Sequence, residues 1–332
     1  MLLKKYFIIS FLIIVVTFAL FFPIFNKHLF TGLTYYKISK NINVKNNINK
    51  TLENLHNFMI FNVDNDLDPK FFPVFDKYTF NALLDGYTDC SGSAAIYLWI
   101  LMFLDINTNL IPLYDSEYKI SPHTILYASH NKKNFVIDPF FNFTFLKENS
   151  DFASLDNICK NNINVNQLNL LIDAEYNYFE NFCYYKKNIM RSNFKLPNYF
   201  IILLNYLPNF YIDFVLSNAI KLKYFKNNYL KGRMFYIIGN YDQALSYFDK
   251  VESEEVYYYD FLLGADELIN DYEIKDIESV KAQVLAQYYK KLISINTKNK
   301  TLFTHSLKDE KINTRYKYFS KIYNLNRRMK DL

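Results

Sequence analysis

Only three cysteines occur in the 332 residues: Cys90, Cys159 and Cys183. An odd number excludes a fully paired disulfide framework. One pair with one free thiol remains open, Cys159 and Cys183 pairing in an oxidising compartment. They also read as two small buried apolar side chains. None of the three has another Cys or a His at ligand spacing, so no metal site is expected. A dense Lys/Arg block is missing too: the net charge of +5 is scattered along the chain. Nucleic-acid recognition needs a clustered basic face, so no nucleic-acid partner is expected. The stretch Asp64-x-Asp66-x-Asp68 lacks the turn glycine of a calcium loop and has Pro69 there instead. It reads as a solvated acidic turn.

What is abundant is apolar and aromatic. Apolar residues make up 51% of the chain and aromatics 19%, with 30 Tyr, 32 Phe and a single Trp. Such a chain is not disordered, and it is long enough to bury a core in one large domain or two smaller ones. Lys4 and Lys5 precede an uncharged run from Tyr6 to Phe25. As a helix that run is about 30 Å long, enough to cross a bilayer. Bulky aromatics at its end disfavour signal cleavage, so residues 1–27 read as a membrane anchor rather than a cleaved signal segment. The body is then expected outside the cytoplasm, at a periplasmic or cell-surface location, although Lys27, Lys37 and Lys40 make the charge bias slight. A second apolar stretch, Tyr199 to Leu216, is interrupted by Asn205, Pro208, Asn209 and Asp213. It reads as two helices broken at Pro208 and not as a second span.

Between these stretches the chain punctuates itself. Residues 38–50 are rich in Asn and Lys and look like a linker. Thr51 to Phe61 has helical spacing. Ala94 to Leu104 is apolar all round, which marks a helix buried on every side, and Asn107-Thr108-Asn109 is expected to break it. Leu110 to Tyr114, His123 to Ser129 and Asn134 to Asp138 read as strands, the last ended by Pro139. From residue 150 the chain looks helical. Gly232, Phe235, Gly239, Ala244, Phe248 and Val251 fall at the offsets of a tetratricopeptide unit over residues 225–256, where small residues let two helices cross closely. A generic antiparallel helix pair fits the same spacing.

The chemistry concentrates at Cys90, which directly precedes the buried helix. A helix N-terminus carries partial positive charge and unpaired N–H groups. These favour thiolate over thiol and can stabilise an oxyanion. The hairpin supplies the partners. With a four-residue loop, Ser129 to Lys132, His123 would face Asp138 directly across the two strands. His123 would take the Cys90 proton and return it to a leaving amine, with Asp138 orienting the imidazole. His130, the competing histidine, sits in the polar loop and reads as a solvated surface residue.

Gly86-Tyr87-Thr88-Asp89-Cys90-Ser91-Gly92-Ser93-Ala94-Ala95 resembles the nucleophile segment of the transglutaminase-like superfamily, a papain-related group of thiol proteins. Ser121-Pro122-His123-Thr124-Ile125 resembles its His strand, and Phe135-Val136-Ile137-Asp138-Pro139 its Asp strand. The resemblance implies an α+β fold with a papain-like core, a central helix packed on an antiparallel sheet. On this reading a transglutaminase-like domain over residues 45–150 follows one transmembrane helix and precedes a mostly helical region over 151–332. It implies Cys90, His123 and Asp138 as a triad, with Tyr87 as the candidate oxyanion donor. It also implies a thiol peptidase or amidase working on a peptide or protein amide through a thioester, with no cofactor. Ile125 stands where many members have an aromatic, and Asn134 or Phe135 where many have Trp. The alternative is a non-catalytic envelope scaffold that uses the same fold to bind, with the helical region recruiting a protein partner.

Overall fold

The computed structural model describes residues 27–63, 79–86, 88, 90–113, 123–160, 162–164, 204–225, 227–253 and 285–294. The chain divides into two compact units, Tyr35–Pro208 and Met1–Thr34 with Asn209–Leu332. The expected domain of residues 45–150 falls inside the first of these.

The order in the first unit is α1 (Lys27–Ile42, which carries the unit boundary), α2 (Ile48–Asn62), α3 (Thr79–Asp85), α4 (Cys90–Phe103), β1 (Asn107–Leu113), β2 (His123–His130), β3 (Lys133–Asp138), β4 (Phe143–Thr144) and α5 (Leu155–Cys159). The four strands form one antiparallel sheet in chain order. Two expectations need correcting here. Residues 38–50 are not a linker: α1 runs to Ile42, and α2 starts at Ile48 with the Asn47 side chain accepting from the Lys50 N–H as its cap. Asn107-Thr108-Asn109 does not merely break a helix. It is already strand, paired with Ser129, Ala128 and Tyr127.

Both faces of the sheet are covered. Ile111, Leu113, Ile125 and Val136 pack on one side with Phe145, Ala153, Leu155, Ile158 and Ile163. The alternating residues Leu126, Ala128, Phe135 and Ile137 are equally buried, as the two-residue period of a strand requires of a two-sided sheet. Helix α4 packs against β1 and β2. Its sequence explains its place: Ala94, Ile96, Tyr97, Ile100 and Leu101 lose all contact with solvent, while the stripe of Ser91, Ala95, Trp99 and Met102 stays partly exposed.

The entry to α4 is tight. Helix α3 stops at Gly86, whose φ of 81° is a left-handed conformation that suits glycine, and whose N–H bonds the Ala82 carbonyl. Thr88 is then buried with its side chain lying on Gly92, where a Cβ would collide with it. Gly92→Ala is therefore expected to cost about 1–3 kcal/mol of overpacking, read as a lower urea midpoint. Thr88→Ala in the same chain should recover most of that loss.

The second unit contains α6 (Asn209–Ala219), continued by the wider turn Ile220–Tyr224, then α7 (Asn228–Ile237) and α8 (Tyr241–Ser253). Pro208 precedes α6 and separates it from the helical residues 204–206. Helices α7 and α8 pack closely because Gly232 lies under the Phe248 ring, 2.6 Å from where a Cβ would stand. The helical residues 285–294 add Tyr289 to this cluster, against Tyr236 and Phe248. The fully buried Arg233 lays its guanidinium 4.3 Å from the centre of the Tyr289 ring.

The membrane expectation is corrected. The run Tyr6 to Phe25 lies outside the described residues, and among those no helix is long and apolar enough to cross a membrane. Helix α1 carries Lys27, His28, Lys37 and Lys40, too many charged or titratable groups for a span. The fold is a mixed helical chain with a small four-stranded antiparallel sheet, without a transmembrane or signal-anchor helix among its described elements.

Candidate functional site

Three elements of the first unit converge on one point. Cys90 is the first residue of α4, His123 the first of β2 and Asp138 the last of β3. His123 Nε2 lies 3.0 Å from Asp138 Oδ2. The Cys90 side chain stands close enough to the same imidazole to favour its charged form. The carboxylate engages Nε2 of the ring. Asp138 is fully buried and His123 nearly so, whereas Cys90 is a free thiol that keeps partial exposure. The Phe140 and His123 rings meet nearly at right angles, with centres 5.9 Å apart.

The strand register differs from the expected one by two residues. His130 pairs with Lys133 and Leu126 with Ile137, so the loop is only Asn131-Lys132. Both have positive φ, 49° and 65°, the backbone of a two-residue hairpin turn. His123 and Asp138 are therefore diagonal neighbours and not directly opposed. A slip of two keeps both side chains on one face, where a slip of one would have parted them. The imidazole and carboxylate are long enough to close the diagonal.

The second carboxylate oxygen is used as well. Asp138 Oδ1 accepts from the N–H of Phe140 at 2.9 Å and of Phe141 at 3.1 Å. These bonds fold the chain after Pro139 into the turn leading to β4 and hold the carboxylate by its far end. Three donors on one buried carboxylate satisfy a charge that would otherwise be very costly to bury.

The protonation of His123 follows from these neighbours. Burial, the largest single influence, works against a charged ring. The adjacent Asp138 charge, the hydrogen bond to it and the Cys90 sulfur together outweigh that cost and raise the imidazole to about 9. A free imidazole titrates near 6.5. The charged pair thus gives its full stabilisation below pH 6.5 and loses it as pH rises through about 9. The urea-measured stability of the native chain should fall between pH 7 and 9.5, by at most about 3 kcal/mol. His123→Gln should lose that share of the slope. An unchanged slope in the variant would mean that the pair is not charged in the folded state.

His130 lies in the hairpin, its Nε2 3.0 Å from the Asn131 amide, away from the triad. Tyr87 lies outside the described residues. Cys159 is disulfide-bonded, while Cys183 lies outside the described residues. Among the described residues no cluster of three His, Cys, Asp or Glu could hold a metal ion.

One residue that the sequence did not single out stands beside the site. His56 on α2 is held by Tyr97 of α4 at 2.8 Å and by Thr144 of β4 at 2.9 Å. Burial pushes it down to about 3, against a smaller opposing pull from the Asp138 charge. Nothing in its local sequence marks it, because its partners come from elements far along the chain.

Comparison with family models, with curated proteins and with solved structures returns no match.

Proposed function

We propose that this chain is a transglutaminase-like thiol enzyme, a peptidase or amidase acting through a thioester on Cys90. The observation that carries the reading is the His123–Asp138 pair, 3.0 Å apart, with the Cys90 sulfur beside the imidazole at the N-terminus of a buried helix and a buried carboxylate favouring the charged ring. The order of the three residues, and the segments around them, resemble that superfamily.

In this mechanism the Cys90 sulfur attacks the carbonyl carbon of an amide. The carbonyl electron pair moves to oxygen, where the positive end of helix α4 favours the charge. As the tetrahedral species collapses, the C–N bond breaks and the His123 imidazolium gives its proton to the leaving amine. Neutral His123 then takes a proton from water, or from an acceptor amine, which attacks the thioester. Breaking the C–S bond regenerates the Cys90 thiolate beside the imidazolium. Asp138 keeps the ring oriented throughout and stabilises its charged form. A binding scaffold has no need for a charged imidazole between a thiol and a buried carboxylate.

The disulfide-bonded Cys159 supports placing the protein in an oxidising compartment outside the cytoplasm. The substrate class is a peptide or protein amide.

A p-nitrophenyl ester of a short acyl group tests the reaction without knowledge of the natural substrate. The expected result is a burst of nitrophenolate and an acyl adduct found by mass spectrometry on the peptide containing Cys90. Acylation spread over lysines, with Cys90 untouched, would overturn the proposal.

A further inference from the structure

The hydrogen bonds around His56 form one connected series with a consistent direction. Tyr97 Oη donates to Asn142 Oδ1 at 3.1 Å. Its oxygen is then free to accept, and His56 Nδ1, 2.8 Å away, carries the proton that it accepts. A neutral ring leaves Nε2 as an acceptor, and Thr144 Oγ1 donates to it at 2.9 Å. Burial keeps the ring neutral across the working range. The series therefore runs in one direction, from Thr144 through His56 and Tyr97 to Asn142, with each donor matched to an acceptor.

Its two ends grip the segment that follows Asp138. Asn142 belongs to the turn after β3 and has a left-handed φ of 55°. Thr144 is on β4, where it pairs with Ile137, while Phe143 pairs with Asp138 itself. The middle of the series belongs to the nucleophile helix. Tyr97 is two turns beyond Cys90 on α4, and seven residues return to the same helix face. One hydroxyl thus joins the helix that carries the thiol to the turn that carries the carboxylate.

We propose that His56 and Tyr97 are positioning residues that clamp the Asp138 turn and β4 to helix α4, and so set the Asp138 carboxylate against His123. The inference rests on the thiol-site reading for its purpose, but its geometry concerns only the His123–Asp138 pair. Neither residue touches the sulfur or a substrate. Both act through the backbone that Asp138 rides on. The burial of His56 suits this role, because a ring that charged would place a second proton where Thr144 donates and would compete for the Asp138 carboxylate.

The test is a histidine-selective NMR titration of the full chain, in the native protein, Tyr97→Phe and Thr144→Val. Both variants keep shape; Tyr97→Phe removes two links of the series and Thr144→Val removes one. Tyr36→Phe is the control. It removes another buried hydroxyl of the same unit, one that bonds the Leu204 carbonyl at 2.9 Å and has no tie to the Asp138 turn. The expected result is a fall in the His123 titration midpoint of about one unit in Tyr97→Phe, a tenfold change in proton affinity. A smaller fall is expected in Thr144→Val and none in Tyr36→Phe. Unchanged midpoints in Tyr97→Phe and Thr144→Val, or an equal fall in Tyr36→Phe, would overturn the clamp. A native chain that shows the clamp yet forms no acyl adduct at Cys90 would overturn the enzymatic reading alone.

Discussion

Asp138→Ala is expected to remove about 3–5 kcal/mol of stability, the range for breaking a buried pair by deleting one partner. Asp138 has no exposed surface. Its loss strands the His123 imidazole at the head of β2 and leaves the Phe140 and Phe141 N–H groups without their acceptor. Each orphaned donor adds its own desolvation cost. Asp138→Asn separates the charge from the hydrogen bonds. Its amide oxygen can still accept from the turn, so the loss of stability should be clearly smaller than in the alanine variant. The His123 midpoint, however, should drop from about 9, since the charge that raised it is gone. Urea unfolding of the three chains, with histidine NMR on the native protein and the asparagine variant, reads both effects. An alanine variant as stable as the native chain would mean that the carboxylate is not holding the turn.

The second large effect concerns chemistry and not stability. His123→Ala is expected to slow the acylation of Cys90 by about 10²–10⁴-fold, the usual worth of a positioned proton-transfer group. Cys90→Ser keeps the site's shape and should form no thioester at all. The double variant should be no worse than Cys90→Ser alone, because residues acting as one unit do not lose their contributions additively. Stopped-flow release of nitrophenolate measures all three. A His123→Ala chain that acylates at the native rate would show that the imidazole takes no part.

How far the site could be read from residues alone depended on the range of the interactions. Helix α4 was legible because a run such as Ala94 to Leu104 is apolar on every face, and only a buried helix needs that. Cys90, His123 and Asp138 were legible because each stands at an element boundary marked by its neighbours: the small residues after Cys90, the strand pattern after His123, and Pro139 after Asp138. The hairpin register differs from the expected one by two residues. Lys132 adopts a φ of 65° without being Gly or Asn, so His130-Asn131-Lys132-Lys133 carried no sign of where the two-residue turn begins. The error did little harm to the site, because an even slip preserves the face. Asn107-Thr108-Asn109 was read as a break from its polar side chains, whereas its backbone groups are taken up by β2. His56 was illegible for a different reason. Its partner Thr144 is 88 residues away, and no local periodicity records a contact of that range.

The central claim, an activated sulfur at Cys90, is tested most directly by the rate of iodoacetamide labelling at Cys90 as a function of pH, in the native chain and in His123→Ala. An ordinary thiol labels in proportion to its thiolate and follows a titration near 8.5. At neutral pH the native chain is expected to label at Cys90 much faster than His123→Ala. Equal labelling rates in the two chains would contradict an activated sulfur.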